Sequence, residues 1–116
     1  MFNYYNLDDI EFEELCKDIM QKKLNTELRT FAKGRDGGID LKDNEPKYNI
    51  VVQVKHYINS KFPNLKSSLE KEVDKVKELN PNYYYVCCAM KLSAPNIKEI
   101  YELFKEFMDS EANIIT

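Results

Sequence analysis

The chain has 116 residues, of which 43% are hydrophobic, and a formal net charge of −3. This length suits one domain with its own hydrophobic core. No apolar run approaches the ~18 residues of a membrane span, and the first residues lack the pattern of a secretion signal. We therefore expect a cytoplasmic protein that is not associated with a membrane. The acidic balance argues against broad, sequence-independent coating of DNA by this chain alone.

The cysteines exclude a structural zinc site. Cys16, Cys87 and Cys88 form no Cys-x-x-Cys pair, and the chain has a single histidine. A tetrahedral zinc site therefore has too few ligands. Because each cysteine stands among apolar neighbours, we expect reduced thiols that fill the core.

The first predicted element is a helix over residues 7–24. Its apolar residues follow the helical period, and Asp8 or Asp9 is placed to cap its start. Glu13 lies at the edge of the apolar face, about 100° around the axis from Phe12, whereas Glu14 lies near ~200° and faces solvent. If a carboxylate of this helix reaches a site at the sheet edge, it is Glu13. The alternative is that Glu13 is an ordinary surface charge.

Three strands are predicted to follow this helix. The first alternates in polarity, the second comes after a glycine-rich segment, and the third contains an almost continuous apolar run. Such a run is typical of a strand covered on both faces. These strands are residues 27–32, 39–42 and 48–56.

The rest of the chain predicts helices that alternate with strands. One helix covers residues 66–79, and another begins near Ser93 with Pro95 in its first turn and is predicted to extend far enough to carry Phe107 and Met108 on its buried face. Strands are predicted at residues 83–89 and 112–116. The order is helix, three strands, helix, strand, helix, strand. This order predicts an α/β fold with a central mixed sheet of four to five strands flanked by helices.

Polar residues stand at the end of the apolar third strand. Gln53 and Lys55 share one side of this strand, because residues two apart face the same way, while Val54 points into the core. A short hairpin can place Asp40 opposite Gln53. A carboxylate, an amide oxygen and the Val54 carbonyl then form a donor set that suits Mg²⁺, with Mn²⁺ as a substitute. Lys55 beside the metal would hold the attacking water or stabilise phosphate charge.

All three glycines of the chain lie at residues 34–38, just before Asp40. Gly37 and Gly38 would let the backbone turn sharply into the strand and clear space for a phosphate backbone. A plain tight loop is the alternative explanation for the glycine pair.

These motifs together resemble a known nuclease family. Gly-Arg-Asp-Gly-Gly-Ile-Asp at residues 34–40, followed by Val-Val-Gln-Val-Lys-His-Tyr at residues 51–57, is similar to the Mrr-like (type IV restriction endonuclease) branch of the PD-(D/E)xK superfamily. In that branch Gln-x-Lys stands where most relatives have Glu-x-Lys. The Phe12-Glu13 pair resembles the first-helix pair of the same branch. The resemblance is detailed over residues 12–57 and looser to residue 93, and it implies a restriction-endonuclease-like core.

The resemblance also implies roles for individual residues. Asp40 would be the main metal ligand, Gln53 the second ligand, Lys55 the catalytic lysine and Glu13 the helix acid. Asp36, with Gly37 and Gly38, would support the loop. The candidates for DNA contact are Arg35, His56 and Tyr57, although the last two are slightly better explained as residues that end the strand.

The function implied is a Mg²⁺-dependent DNA endonuclease, the effector of a bacterial restriction or antiphage defence system. Alternatives are a catalytically inactive nuclease-fold module for DNA binding or assembly, and a Holliday-junction-resolvase-like or repair nuclease. Residues 1–116 would be a single nuclease domain, the N-terminal effector part of a longer protein. A regulatory, sensor or DNA-recognition module would lie elsewhere in that protein. Duplex cleavage needs two sites, so we expect a homo-oligomer.

Overall fold

The computed structural model describes residues 8–30, 39–43, 49–55 and 61–115. The helices are α1 (Asp9–Leu24), α2 (Phe62–Leu79) and α3 (Ala94–Phe104). The strands are β1 (Leu28–Thr30), β2 (Ile39–Asp43), β3 (Ile50–Lys55), β4 (Tyr83–Cys88) and β5 (Ile114–Ile115), and a 3₁₀ turn at Glu111–Asn113 precedes β5. The predicted order of elements is confirmed.

The strands form one sheet in the order β1-β2-β3-β4-β5, with β3 at its centre. The first two pairings are antiparallel, and the pairings of β4 with β3 and with β5 are parallel. Helices α2 and α3 make the crossovers that parallel neighbours require. The mixed five-stranded sheet with flanking helices confirms the predicted α/β class.

Each face of the sheet carries its own core. On one face, α1 packs Phe12 and Met20 against alternate residues of β3, including Val52 and Val54. On the other face, α2 and α3 pack against the remaining residues of the strands, Val51 among them. All six residues of β3 are buried, so the expectation of a strand covered on both faces is confirmed.

Capping boxes fix the starts of α1 and α3. Asp8 Oδ1 accepts a hydrogen bond from the Glu11 amide at 2.7 Å, and Glu11 Oε1 accepts one from the Asp8 amide at 3.2 Å. Ser93 and Asn96 make the same reciprocal pair at 3.2 Å. Of the two predicted caps for α1, Asp8 is therefore the one used, and the predicted start at Ser93 is confirmed.

Two helix boundaries differ from the prediction. Helix α2 begins at Phe62, before the predicted residue 66, because Pro63 in its first turn is compatible with a helix start. Helix α3 ends at Phe104, where a turn follows with Phe107 N donating to Phe104 O at 2.8 Å. Phe107 and Met108, predicted on the helix face, are buried by that turn instead.

The three cysteines are free thiols and all are buried, which confirms that they fill the core. Within the described residues, no helix is long and apolar enough to cross a bilayer.

Candidate active site

The hairpin of β2 and β3 sets the register of the predicted site. Asp40 lies directly opposite Gln53, and Leu41 lies opposite Val52. At the hairpin end, Asp43 is 4% exposed, and its Oδ1 accepts a hydrogen bond from the Asn49 amide at 3.1 Å. This bond ties the strands together where they separate and so supports the register. The predicted juxtaposition of Asp40 and Gln53 is therefore present in the backbone.

Gln53 and Lys55 are buried at the centre of the sheet, with 3% and 0% exposure. Both alternate with Val52 and Val54, so they share the face of Val51, which is the face that α2 covers. Lys55 O accepts a hydrogen bond from Ala89 N at 3.2 Å, which continues the pairing with β4 beyond the strand end. This hydrogen bond to the residue after β4 therefore fixes the backbone position of Lys55.

The Lys55 ammonium faces a carboxylate of α2. Lys55 Nζ lies 3.9 Å from Glu72 Oε1, and the Glu72 side chain is 14% exposed. The distance exceeds a direct hydrogen bond, so the attraction is that of an ion pair. Removing an ammonium from water costs several kcal/mol, and a nearby carboxylate offsets part of that cost. Glu72 also lies 3.8 Å, through Oε2, from Lys75 Nζ at the helix surface.

Glu72 was not identified from the sequence, although the sequence carries a signal for it. Leu65, Leu69 and Val76 are the fully buried apolar residues of α2. With a spacing of three to four residues, the stripe passes through position 72, where an acid replaces the expected apolar residue. An acid inside an apolar stripe indicates a buried partner of opposite charge.

Two more polar residues missed by the sequence reasoning belong to the same layer. Lys42 is 8% exposed and lies opposite Val51, so it faces α2 as well. Ser68 is 7% exposed and stands one helical turn before Glu72. A buried polar layer therefore lies between the β2–β3 hairpin and α2. The described side chains of this polar layer are those of Lys42, Gln53, Lys55, Ser68 and Glu72.

Glu13 lies apart from this layer. It is half-buried on α1, which packs on the opposite face of the sheet. The described residues therefore bring Gln53, Lys55 and the backbone of Asp40 together but do not bring Glu13 to them.

Several predicted residues cannot be placed in this geometry. Among the described side chains, no three His, Cys, Asp or Glu residues cluster in a way that could hold a metal. The Asp40 side chain lies outside the described part of the chain. So do the loop residues and predicted DNA contacts: Arg35, Asp36, Gly37, Gly38, His56 and Tyr57.

A comparison with protein families matches residues 4–84 to the restriction endonuclease family Mrr_cat. The chain belongs to this family. The match covers α1, β1, β2, β3 and α2, and so includes every residue of the buried polar layer. Membership in Mrr_cat confirms the resemblance drawn from the sequence motifs and identifies the chain as a restriction-endonuclease-like nuclease domain.

The Mrr_cat domain also matches a much longer protein. The uncharacterized protein y4cD of Sinorhizobium fredii (strain NBRC 101917 / NGR234) is 28% identical over 102 residues. The match covers 88% of this chain but only 16% of that protein. No solved structure matches the chain.

Proposed function

We propose that this Mrr_cat domain is a metal-dependent endodeoxyribonuclease that hydrolyses phosphodiester bonds of DNA. The observation that carries the proposal is the position of Asp40 opposite Gln53, next to the fully buried Lys55. Burying a lysine completely at the centre of a sheet costs free energy, and a leucine there would pack equally well without that cost. A chemical role explains why it is there.

The donor chemistry fits a hard divalent cation. The Asp40 carboxylate, the Gln53 amide oxygen and the Val54 carbonyl are the groups that would hold Mg²⁺ or Mn²⁺, since these cations prefer oxygen ligands. The bound metal would supply Lewis-acid polarisation of the phosphate. Because Gln53 is neutral, the strands contribute a single carboxylate from Asp40, which leaves more of the metal's positive charge to act on the phosphate.

The Lys55 ammonium supplies the remaining positive charge. During in-line attack by water, negative charge grows on the phosphate oxygens, and a fixed ammonium stabilises that charge better in a buried site than in water. Lys55 also donates hydrogen bonds that orient the attacking water. Its fixed backbone, paired on both sides in the centre of the sheet, keeps this ammonium beside the proposed metal ligands.

For Glu13 we keep, as a separate proposal, the helix-acid role that the family resemblance implies, although the described residues place Glu13 on the face of the sheet opposite the polar layer. Its neighbour Glu14 is exposed on the same helix and provides a matched control. Glu13→Gln is expected to slow cleavage, and Glu14→Gln to leave it unchanged. If the two variants cut equally well, Glu13 is an ordinary surface charge.

The biological setting follows from the same proposal. We expect an effector of a restriction or antiphage system in which other parts of a longer protein recognise the DNA and control cleavage. The net charge of −3 supports this division, because weak electrostatic attraction predicts poor binding of DNA by the domain alone. Cleavage of both strands would require at least two copies of the site.

The test is cleavage of supercoiled plasmid DNA by the full-length protein, with Mg²⁺ or Mn²⁺ and with EDTA. Asp40→Asn and Lys55→Ala are each expected to slow cleavage by about 100-fold or more. Asp18→Asn and Lys98→Ala, at exposed positions of α1 and α3, serve as matched controls and should cut normally. Cleavage that persists in EDTA contradicts the metal mechanism. If the intact protein cuts no better than both site variants, the nuclease proposal fails, and absence of cutting by all three favours an inactive binding module.

A further inference from the structure

We infer that Glu72 is a positioning residue, which holds the Lys55 ammonium in the geometry that cleavage needs. This inference rests on the proposed nuclease function and adds a member from α2 to a site otherwise built on β2 and β3. Glu72 Oε1 lies 3.9 Å from Lys55 Nζ, while the Lys55 side chain is fully buried. In that environment a carboxylate at this distance acts strongly on the ammonium, because little solvent screens it.

The position of Glu72 in α2 favours a specific role over a chance contact. It interrupts a stripe whose neighbours Leu65, Leu69 and Val76 are all buried. A leucine at position 72 would continue that stripe and pack against the sheet without cost to the helix. The carboxylate instead interrupts the apolar surface and faces Lys55, so its presence is explained by its attraction for the Lys55 ammonium.

The two oxygens of Glu72 have different surroundings. Oε1 faces Lys55, whereas Oε2 lies 3.8 Å from Nζ of Lys75, whose side chain is 48% exposed. The carboxylate is therefore held from the surface side by one lysine and presents its other oxygen to the buried one. This arrangement fixes the direction from which Lys55 is attracted, which limits the motion of a long, flexible side chain.

The attraction is loose enough for the lysine to act. At 3.9 Å the pair lacks a direct hydrogen bond, so the Glu72 carboxylate does not itself occupy a donor of the ammonium. A tight hydrogen-bonded pair would compete with the substrate. The ion pair instead orients the ammonium, and this is the positioning role that we assign to Glu72.

The test compares Glu72→Gln, Glu72→Asp and Glu70→Gln in the full-length protein. Glu70 is an exposed acid of the same helix and is the matched control. At saturating plasmid DNA and Mg²⁺, Glu72→Gln is expected to lower kcat by about 10- to 100-fold, as supporting residues of metal sites do, with little change in KM. Glu72→Asp keeps the charge and should recover part of that loss. Glu70→Gln should cut normally.

A second measurement tests the pair without any cleavage. Thermal unfolding of Glu72→Gln, Lys55→Met and the double variant forms a double-mutant cycle. If the two side chains interact, Glu72→Gln changes the Tm by a smaller amount in the Lys55→Met background than in the intact protein. Additive changes would overturn the pairing itself.

The outcomes separate this inference from the proposed function. Slower cleavage by Glu72→Gln, partial recovery by Glu72→Asp and a coupled cycle support a positioning role. Normal cleavage by Glu72→Gln overturns it and leaves the nuclease proposal intact. If the intact protein and Lys55→Ala both fail to cut while the cycle is coupled, the nuclease proposal fails, and the pair is purely structural.

Discussion

Two buried residues with ionisable side chains, Lys55 and Cys88, lie side by side on the central strands β3 and β4. Lys55 of β3 lies in register with Cys88 of β4. Burial raises the pKa of the Cys88 thiol to about 12, with a further rise from Cys87 and an opposing hydrogen bond from the Met90 backbone. The thiol is therefore neutral at physiological pH. It adds no negative charge beside Lys55 that would compete with the Glu72 carboxylate.

The raised pKa of Cys88 predicts a loss of stability in alkali. The group's pKa rises from 9.0 to about 12 on folding, so the folded state keeps a proton that the unfolded state releases. The stability contributed is fully present below pH 9 and is lost as the pH rises toward 12, by about 1.4 kcal/mol per pH unit. Urea unfolding of the intact protein and of Cys88→Ala, measured between pH 8 and pH 10.5, should give a flatter pH dependence for the variant. Parallel curves would contradict this assignment.

Among the secondary-structure elements, the starts of the helices were predicted correctly where a capping residue marks them. Asp8 and Ser93 mark helix starts because a cap is a contact within a few residues. The end of α3 was misplaced because Phe107 and Met108 continue the apolar period while the chain already turns. Burial of those two side chains comes from packing and not from the helix.

The capping box of α3 gives a prediction at this scale. Ser93→Ala removes the hydroxyl that accepts a hydrogen bond from the Asn96 amide, and should cost about 1 kcal/mol. For a domain of this size the Tm should fall by about 4 °C. Ser67→Ala, at an exposed position inside α2, is the matched control and should not lower the Tm. A similar loss in both variants would show that the cap contributes nothing specific.

In the whole molecule, the central strands β3 and β4 each contribute alternate residues to both cores. Cys16 belongs to the core under α1, and Cys88 belongs to the core under α2 and α3. Because every residue of β3 is buried on one face of the sheet or the other, loss of the helices on either face exposes the central strand. The two halves should therefore unfold together.

Pulsed thiol labelling in urea tests this coupling. Cys16 and Cys88, read separately by mass spectrometry, should become reactive with the same midpoint. Phe12→Ala removes a large side chain from the α1 core and should cost about 3–5 kcal/mol, lowering both midpoints equally. Labelling of Cys16 at a clearly lower urea concentration than Cys88 would mean that α1 separates from an intact sheet.

The order of the elements, the family and the juxtaposition of Asp40 with Gln53 could all be predicted from the amino-acid sequence. These features rest on local periodicity, on turn residues and on a short hairpin, all of which act over neighbouring parts of the chain. The buried polar layer was decided by the tertiary structure. Ser68 and Glu72 join the layer that Lys42 and Lys55 form on the hairpin only because α2 packs across it, and Glu13 stands apart because α1 packs on the opposite face. Which face a helix covers depends on contacts between residues far apart in the chain, and no single segment encodes that choice.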